Sequence, residues 1–230
     1  MPPFLLLQAR QETRKESMRI TGGSLKGRRL VCPRGLKVRP TSDRVREALF
    51  QIAQVRFGQP APGFWVLDLF CGSGALGLEA ISRGADGALM VDSSRRSLSQ
   101  ALENAGAMGV GERVQAVRFN LARGEVSRFF LSIRKNMAKA EGMGEGQWGP
   151  FGMVFMDPPY GRGLLQPLIQ AICQAELLHD SGVLICEAGK GEELPRRFEK
   201  DSLEGGRAKG LFLADERVYG QTKILFYRPS

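Results

Sequence analysis

The stretch from Met153 to Tyr160 reads MVFMDPPY: four apolar residues, then a carboxylate, two prolines and an aromatic ring. The apolar run has the length of a buried strand. Two successive prolines cannot continue a sheet, because each removes a backbone donor. What remains are acceptors: the Asp157 carboxylate and the Pro158 carbonyl, whose direction is fixed by locked φ angles. Beside them Tyr160 offers a face on which a flipped-out base can stack. Such a cradle suits an exocyclic amine on a nucleobase. Its lone pair is conjugated into the ring, so it is a poor nucleophile, and acceptors around its two N–H groups hold it and let the lone pair localise. Once methylated, the amine is strongly acidic and can lose its proton to solvent or to Asp157, so no tuned general base is needed. The single histidine of the chain, His179, sits in a polar LHDSG segment and reads as a surface loop residue. Taken alone, Asp-Pro-Pro-Tyr is also an ordinary turn.

A second stretch, VLDLFCGSGALGLEA, places a glycine-rich turn between a strand and a helix. Gly72, Gly74 and Gly77 match G-x-G-x-x-G, and Asp92 follows Gly72 by 20 residues at the end of the next strand, where an acid meets a ribose. Read literally, the motif predicts NAD or FAD. Asp68 argues otherwise, since it ends the first strand facing the same pocket and would repel a pyrophosphate. It would favour a ligand with positive charge, such as the amino group and sulfonium of S-adenosylmethionine. The acid followed at fixed spacing by Gly72 and Gly74 resembles the first motif of the Rossmann-like methyltransferases that use that cofactor. Cys71 reads as a small packing residue, with nothing beside it to activate a thiolate.

Alternating elements must position these residues. Strands are predicted at 65–70, 87–92, 114–120, 153–157 and 182–188, with helices at 74–84, 95–109 and 164–178. A closing antiparallel pair is expected at 210–220 and 222–228. This alternation predicts an α/β fold: a mostly parallel sheet with helices on both faces. In such a sheet ligands bind beyond the carboxyl ends of the strands, and neighbouring first and fourth strands would bring Asp157 to the cofactor pocket. Residues 1–17 lack periodicity and read as a disordered extension. Residues 18–54 read as a basic N-terminal hairpin and helix, and residues 55–230 as the main domain. The Gly- and Met-rich 136–150 stretch reads as a mobile insertion.

Composition sets limits. The chain has 230 residues, 43% of them apolar, enough for one sizeable core. No apolar run is long enough to span a membrane, and the start lacks a secretory leader pattern, so a cytoplasmic protein is expected. Cys32, Cys71, Cys173 and Cys186 are scattered, which predicts neither a disulfide frame nor a metal site. The net charge is +9. Between Met18 and Phe50, nine basic residues (among them Arg28, Arg29, Arg39 and Arg46) face only Asp43 and Glu47. So concentrated a charge predicts a polyanion as partner, against the alternative of a solvated face.

The segments MRITGGSLKGRRL, VRPTSDRVREALF, VLDLFCGSGALGLEA, MDPPYGRGLL and YGQTK, in this order, resemble the bacterial 16S rRNA (guanine(966)-N2)-methyltransferase family over residues 18–229. The Arg-Pro-Thr-x-Asp-x-Val-Arg-Glu block is the selective part. The resemblance implies a Rossmann-like methyltransferase fold with a seven-stranded sheet and a small N-terminal β-hairpin appendage. It also implies S-adenosylmethionine as donor, and 16S rRNA or an assembling small ribosomal subunit as substrate of a monomeric, metal-free enzyme. By resemblance Asp68, Gly72 and Gly74 hold the methionine part. Asp92, with Ser93 beside it, holds the ribose, and Asn120 meets the adenine edge. Asp157, Pro158 and Tyr160 carry the target base, while Arg39, Thr41 and Arg46 close the site and, with Arg28 and Arg29, touch RNA. The sequence departs from the family at the 1–17 extension, at the longer 132–150 stretch and at Ser94, where an acid is expected.

Three rivals stay open on the residues alone. An NAD-dependent oxidoreductase would need a proton donor near the nicotinamide, and none is evident. An RNA-binding module with a dead fold would not need Asp68, Asp92 and Asp157 intact. An amino-methyltransferase acting on adenine N6 of DNA or another RNA would share the motifs, though a sequence-specific DNA enzyme usually carries a recognition domain for which this length leaves little room.

Overall fold

The computed structural model of the chain describes residues 18–32, 43–58, 63–138, 151–200 and 210–230. Five strands run parallel: β1 (Trp65–Leu69), β2 (Gly87–Asp92), β3 (Val114–Arg118), β4 (Phe151–Met156) and β5 (Leu178–Gly189). Three more close the sheet antiparallel: β6 (Arg197–Glu199), β7 (Gly210–Tyr219) and β8 (Thr222–Pro229). The order across the sheet is β3-β2-β1-β4-β5-β8-β7-β6. β4 is a continuous apolar run, and β1 and β2 each carry a single acid (Asp68 and Asp92) among apolar residues, because both faces of these strands are covered. Alternate residues of β1 serve the two layers: Val66 packs with Phe50, Leu78 and Phe155, while Leu67 and Leu69 pack with Phe130, Ile169 and Met156.

Helices α1 (Asp43–Phe57), α2 (Ala75–Ser82) and α3 (Arg95–Ala107) contribute to the first layer, and α4 (Val126–Ala138) and α5 (Leu165–Ala175) to the second. Ser94 caps α3: its Oγ accepts the Ser97 N–H at 3.2 Å. A hydroxyl here satisfies an orphan donor of the first turn, which accounts for serine where the family pattern suggests an acid.

Several boundaries differ from the sequence expectation. The sheet has eight strands where the resemblance implies seven; the extra one, β6, is a three-residue edge strand, too short to show a period. β3 ends at Arg118, leaving Asn120 beyond it. β5 begins at Leu178, so His179 lies on a strand and half-buried, its Nδ1 2.7 Å from the Ser181 hydroxyl and accepting the Ser181 N–H. α4 is not anticipated, although Val126, Phe129, Phe130 and Ile133 recur at helical spacing. The expected extension 1–17 and most of the insertion lie outside the described residues.

The N-terminal arm, residues 18–32, folds back on itself. The Ile20 N–H donates to Arg28 O at 3.0 Å and the Leu30 N–H to Met18 O at 2.8 Å, with one bridge between Arg19 and Arg29. Ile20 and Leu30 are buried in the same layer as Leu49, Phe50 and Ala53 of α1, and α1 continues to Phe57. A cut at residue 54 therefore does not separate two cores. Among the described residues, no helix is long and apolar enough to cross a membrane.

Candidate active site

The site begins with the turn after β1. Phe70, Gly72 and Gly74 all take left-handed backbone, with φ of 65°, 54° and 78°. Glycine tolerates this; Phe70 does so at a cost that the surrounding structure must offset. A Cβ on Gly74 would come within 3.0 Å of Met90 Sδ, and one on Gly77 within 2.8 Å of Met90 Cε. Both glycines thus let α2 close onto β2. Asp68, expected to face the ligand, is instead 1% exposed beneath the turn, its Oδ2 accepting the Gly77 N–H at 2.9 Å. Burial lifts its carboxyl to about 7, against the pull of the Gly77 N–H and with a smaller push from Asp92. Asp68 holds the turn from below. Cys71 is buried, and burial pushes its thiol up, so it carries no thiolate.

Asp92 ends β2 and is pinned by both oxygens: Oδ2 accepts the Gly72 N–H at 3.0 Å and Oδ1 the Ser94 N–H at 2.8 Å. One acid therefore ties the first turn to the start of α3. A cleft of about 220 Å³ opens beside it, lined by Phe70, Asp92, Ser93 and Asn120 together with Pro159 and Arg162. The structure so brings together Asp92, Ser93 and Asn120, three of the residues expected around the cofactor, and faces them with the DPPY loop. Asn120 is exposed, and its Oδ1 accepts the Ala122 N–H at 3.1 Å. This bond orients its amide at the cleft.

β4 pairs with β1 in parallel, with Leu69 opposite Met156. Phe70 and Asp157 therefore leave the sheet side by side at the point where the chain order reverses. Asp157 is half-buried, Pro158 buried, and Pro159 reaches into the cleft lining. Asp157, Pro158 and Tyr160 themselves stand on the loop at its margin, outside the lining. Tyr160 is 40% exposed, and its hydroxyl lies 3.1 Å from Thr222 Oγ1 of the YGQTK segment.

The basic segment divides. Arg39 and Thr41 lie outside the described residues. Arg46, expected to touch RNA, is 0% exposed: its guanidinium meets Glu79 at 3.4 Å, Asp43 at 2.8 Å and the Arg19 carbonyl. An arginine so enclosed cannot reach an RNA phosphate, and that expectation is corrected. Glu79, equally buried, also accepts from the Thr21 N–H (2.7 Å), Thr21 hydroxyl (2.8 Å), Gly22 N–H (2.8 Å) and Arg83 Nε (2.9 Å). The pair locks arm, α1 and α2 together. Arg28 is exposed but donates to the Ala107 carbonyl at the last residue of α3, and Arg29 is exposed. Asn104 has nothing in its sequence context to single it out. It is buried on α3, exchanges hydrogen bonds with Val31 in both directions at 3.0 Å, and donates to the Ser73 carbonyl of the turn at 2.9 Å.

The chain is similar to known proteins over most of its length. The family model described as "Conserved hypothetical protein 95" matches residues 18–228. Ribosomal RNA small subunit methyltransferase D of Escherichia coli K12 is 37% identical over 172 residues, 74% of this chain and 71% of that protein. Of solved structures, the Escherichia coli protein yhhF aligns with a TM-score of 0.64 at 31% identity, covering 92% of this chain and 97% of its own. A Thermus thermophilus protein aligns with a TM-score of 0.66 at 27% identity, covering 92% and 99%. The glycine-rich turn over a buried acid faces an Asp-Pro-Pro-Tyr loop across the switch point of a Rossmann-like sheet, and these similarities extend over nearly the whole chain. The chain is therefore a methyltransferase and belongs to the family described as Conserved hypothetical protein 95, with small-subunit ribosomal RNA methyltransferases D among its relatives.

Proposed function

We propose that this methyltransferase moves a methyl group from S-adenosylmethionine to the exocyclic N2 amine of a guanine in 16S rRNA, free or within an assembling small subunit. The observation that carries the reading is the cleft that Asp92, Ser93 and Asn120 share with the DPPY loop. The residues suit the cofactor. The Asp92 carboxylate is held at the end of β2 by two backbone donors, where a ribose would meet it, and the Asn120 amide stands on the same wall for a base edge. Ser93 and Phe70 complete that wall. When bound, S-adenosylmethionine would supply an electrophilic methyl carbon for the amine nitrogen, with the electron pair of the methyl–sulfur bond left on sulfur.

The chain's own residues prepare the amine. Asp157 and the Pro158 carbonyl accept its two N–H bonds, which weakens conjugation of the lone pair with the ring. Tyr160 stacks on the base and holds it out of the RNA stack, its ring set by the bond to Thr222. The proton then leaves the methylated nitrogen to solvent or to Asp157. Arg29, with Arg39 and Thr41, remains in the proposed RNA contact. The test is single-turnover transfer of labelled methyl to small-subunit rRNA, followed by nucleoside mass spectrometry. N2-methylguanosine is expected. N6-methyladenosine would replace guanine by adenine, and unlabelled RNA, or binding of NAD in place of S-adenosylmethionine, would overturn the reading.

A further inference from the structure

Arg28, in the most basic stretch of the sequence, does not lie next to the cleft. α3 starts at the cleft, just after Asp92 and Ser93, and runs back toward the amino ends of the strands. Arg28 is bonded to its last residue, Ala107, and the arm's turn is bonded to the end of α2 through Ser24 and Ser82. At 1.5 Å per residue, the 13 residues of α3 put Arg28 about 18 Å from the cleft mouth. Arg46 is buried. Arg28 is therefore held at the far end of the helix from the phosphates that flank a base entering the site.

Another group of cations lies at the right end. Arg95 and Arg96 occupy the first turn of α3. Arg118 ends β3, its Nε on the Ser93 carbonyl at 3.0 Å. Arg123 and Arg162 line the cleft itself, one from the β3–α4 loop beside Asn120 and one from the DPPY loop. All five are exposed. They come from four separate parts of the chain, so no run of charge in the sequence reveals them. The placement of Arg95 and Arg96 is also locally unfavourable: the start of a helix carries partial positive charge and prefers acids, and this first turn has none. A local rule broken at the mouth of a site is what a functional demand produces. Nearby acids do not cancel the set: Glu125 is paired with Arg128 at 2.7 Å, and Asp92 is engaged with backbone donors.

We propose that Arg95, Arg96, Arg118, Arg123 and Arg162 form the rim on which the RNA backbone lies as the target nucleotide enters. The inference rests on the RNA-methyltransferase reading above and adds where the backbone runs. Arg123 and Arg162 stand on facing loops, so a strand crossing between them would present a base to Tyr160 and Asp157 with its own phosphates held from both sides.

The test measures affinity for small-subunit rRNA as a function of salt, together with calorimetric affinity for S-adenosylhomocysteine. It compares wild type, Arg95→Ala/Arg96→Ala, Arg123→Ala/Arg162→Ala and Arg28→Ala/Arg29→Ala. Each lost phosphate contact lowers the slope of log K against log salt by about 0.7 to 0.9. Each rim pair should lower it by roughly 1.5, with the arm pair changing it less. Replacing Arg95 and Arg96 by Lys should keep most of the slope, which a general folding defect would not. If the rim pairs keep the wild-type slope while the arm pair loses it, the rim proposal falls and the RNA reading stands. If Arg123→Ala/Arg162→Ala weakens S-adenosylhomocysteine with no effect on RNA, those two arginines serve the cofactor and the proposal falls for them. If wild type binds and methylates no RNA, both readings fall.

Discussion

The hydroxyls of Tyr160 and Thr222 lie 3.1 Å apart, 62 residues apart in the chain. Tyr160 belongs to the loop after β4 and Thr222 opens β8, with β5 between the two strands. The bond ties the proposed stacking ring to the antiparallel end of the sheet. Stacking uses the ring face, while the bond sets only its angle. Tyr160→Ala should lower single-turnover methyl transfer by about fivefold to over a hundredfold, in line with about 1–3 kcal/mol per stacked base. Tyr160→Phe and Thr222→Val should each cost only a few-fold, and the double variant no more than either alone, since both remove one bond. Additive losses would show that Thr222 acts on something other than Tyr160.

Asp157 is proposed to accept a hydrogen bond that strengthens as the amine becomes a nucleophile. Asp157→Ala should leave S-adenosylhomocysteine affinity unchanged and reduce the single-turnover rate on the order of 10²–10³-fold. Asp157→Asn keeps one acceptor without the charge and should fall between alanine and wild type. A wild-type rate in Asp157→Ala would reduce the paired prolines to a turn.

The Arg46–Glu79 pair is buried on both sides. Removing Arg46 takes one of two cations from buried Glu79, which keeps Arg83 at 2.9 Å, so Arg46→Met should destabilise the fold by about 1–3 kcal/mol in urea titration. Arg46→Lys distinguishes a structural from an RNA-binding role. A lysine would serve a phosphate, but it cannot reproduce the three-way fork to Glu79, Asp43 and the Arg19 carbonyl. The lysine variant should therefore also lose stability, with the salt dependence of RNA binding unchanged.

Asp68 gives a pH dependence of definite sign. Its carboxyl is raised from the ordinary 3.8 to about 7, chiefly by burial. Between those values the folded chain holds a proton that the unfolded chain has lost, so stability falls as pH rises, and the fall is complete above about pH 7. Asp68→Asn keeps an acceptor for the Gly77 N–H and has nothing to ionise. Its stability relative to wild type should rise by a few kcal/mol between about pH 4.5 and pH 8 in denaturant titrations. A difference independent of pH would show that Asp68 is ionised throughout.

The layout of the candidate site was legible in the sequence wherever it is written in local backbone constraints. Two prolines after an apolar run, and glycines at fixed spacing between a strand and a helix, restrict φ in ways that few structures satisfy, and the Asp92, Asn120 and Asp157 loops duly meet at the ends of parallel strands. The alternation of strands and helices carried the α/β architecture for the same reason, since a period is a local property. Burial is not. Arg46 and Arg29 are indistinguishable as letters, yet one is enclosed by Glu79 and Asp43 while the other faces solvent. Glu79 and Asn104 sit among polar and apolar neighbours like any helix residue, and their partners Thr21, Val31 and Ser73 lie far along the chain. α4 carried a readable stripe, whereas three-residue β6 exists only because β7 offers it an edge. The rim arginines come from four parts of the chain and meet only because β2, β3 and β4 end on one side of the sheet. Which charges are spent inside the fold, and which are left around the cleft, is decided by long-range packing, because whether a cation is paired depends on what the chain brings to it across the sheet.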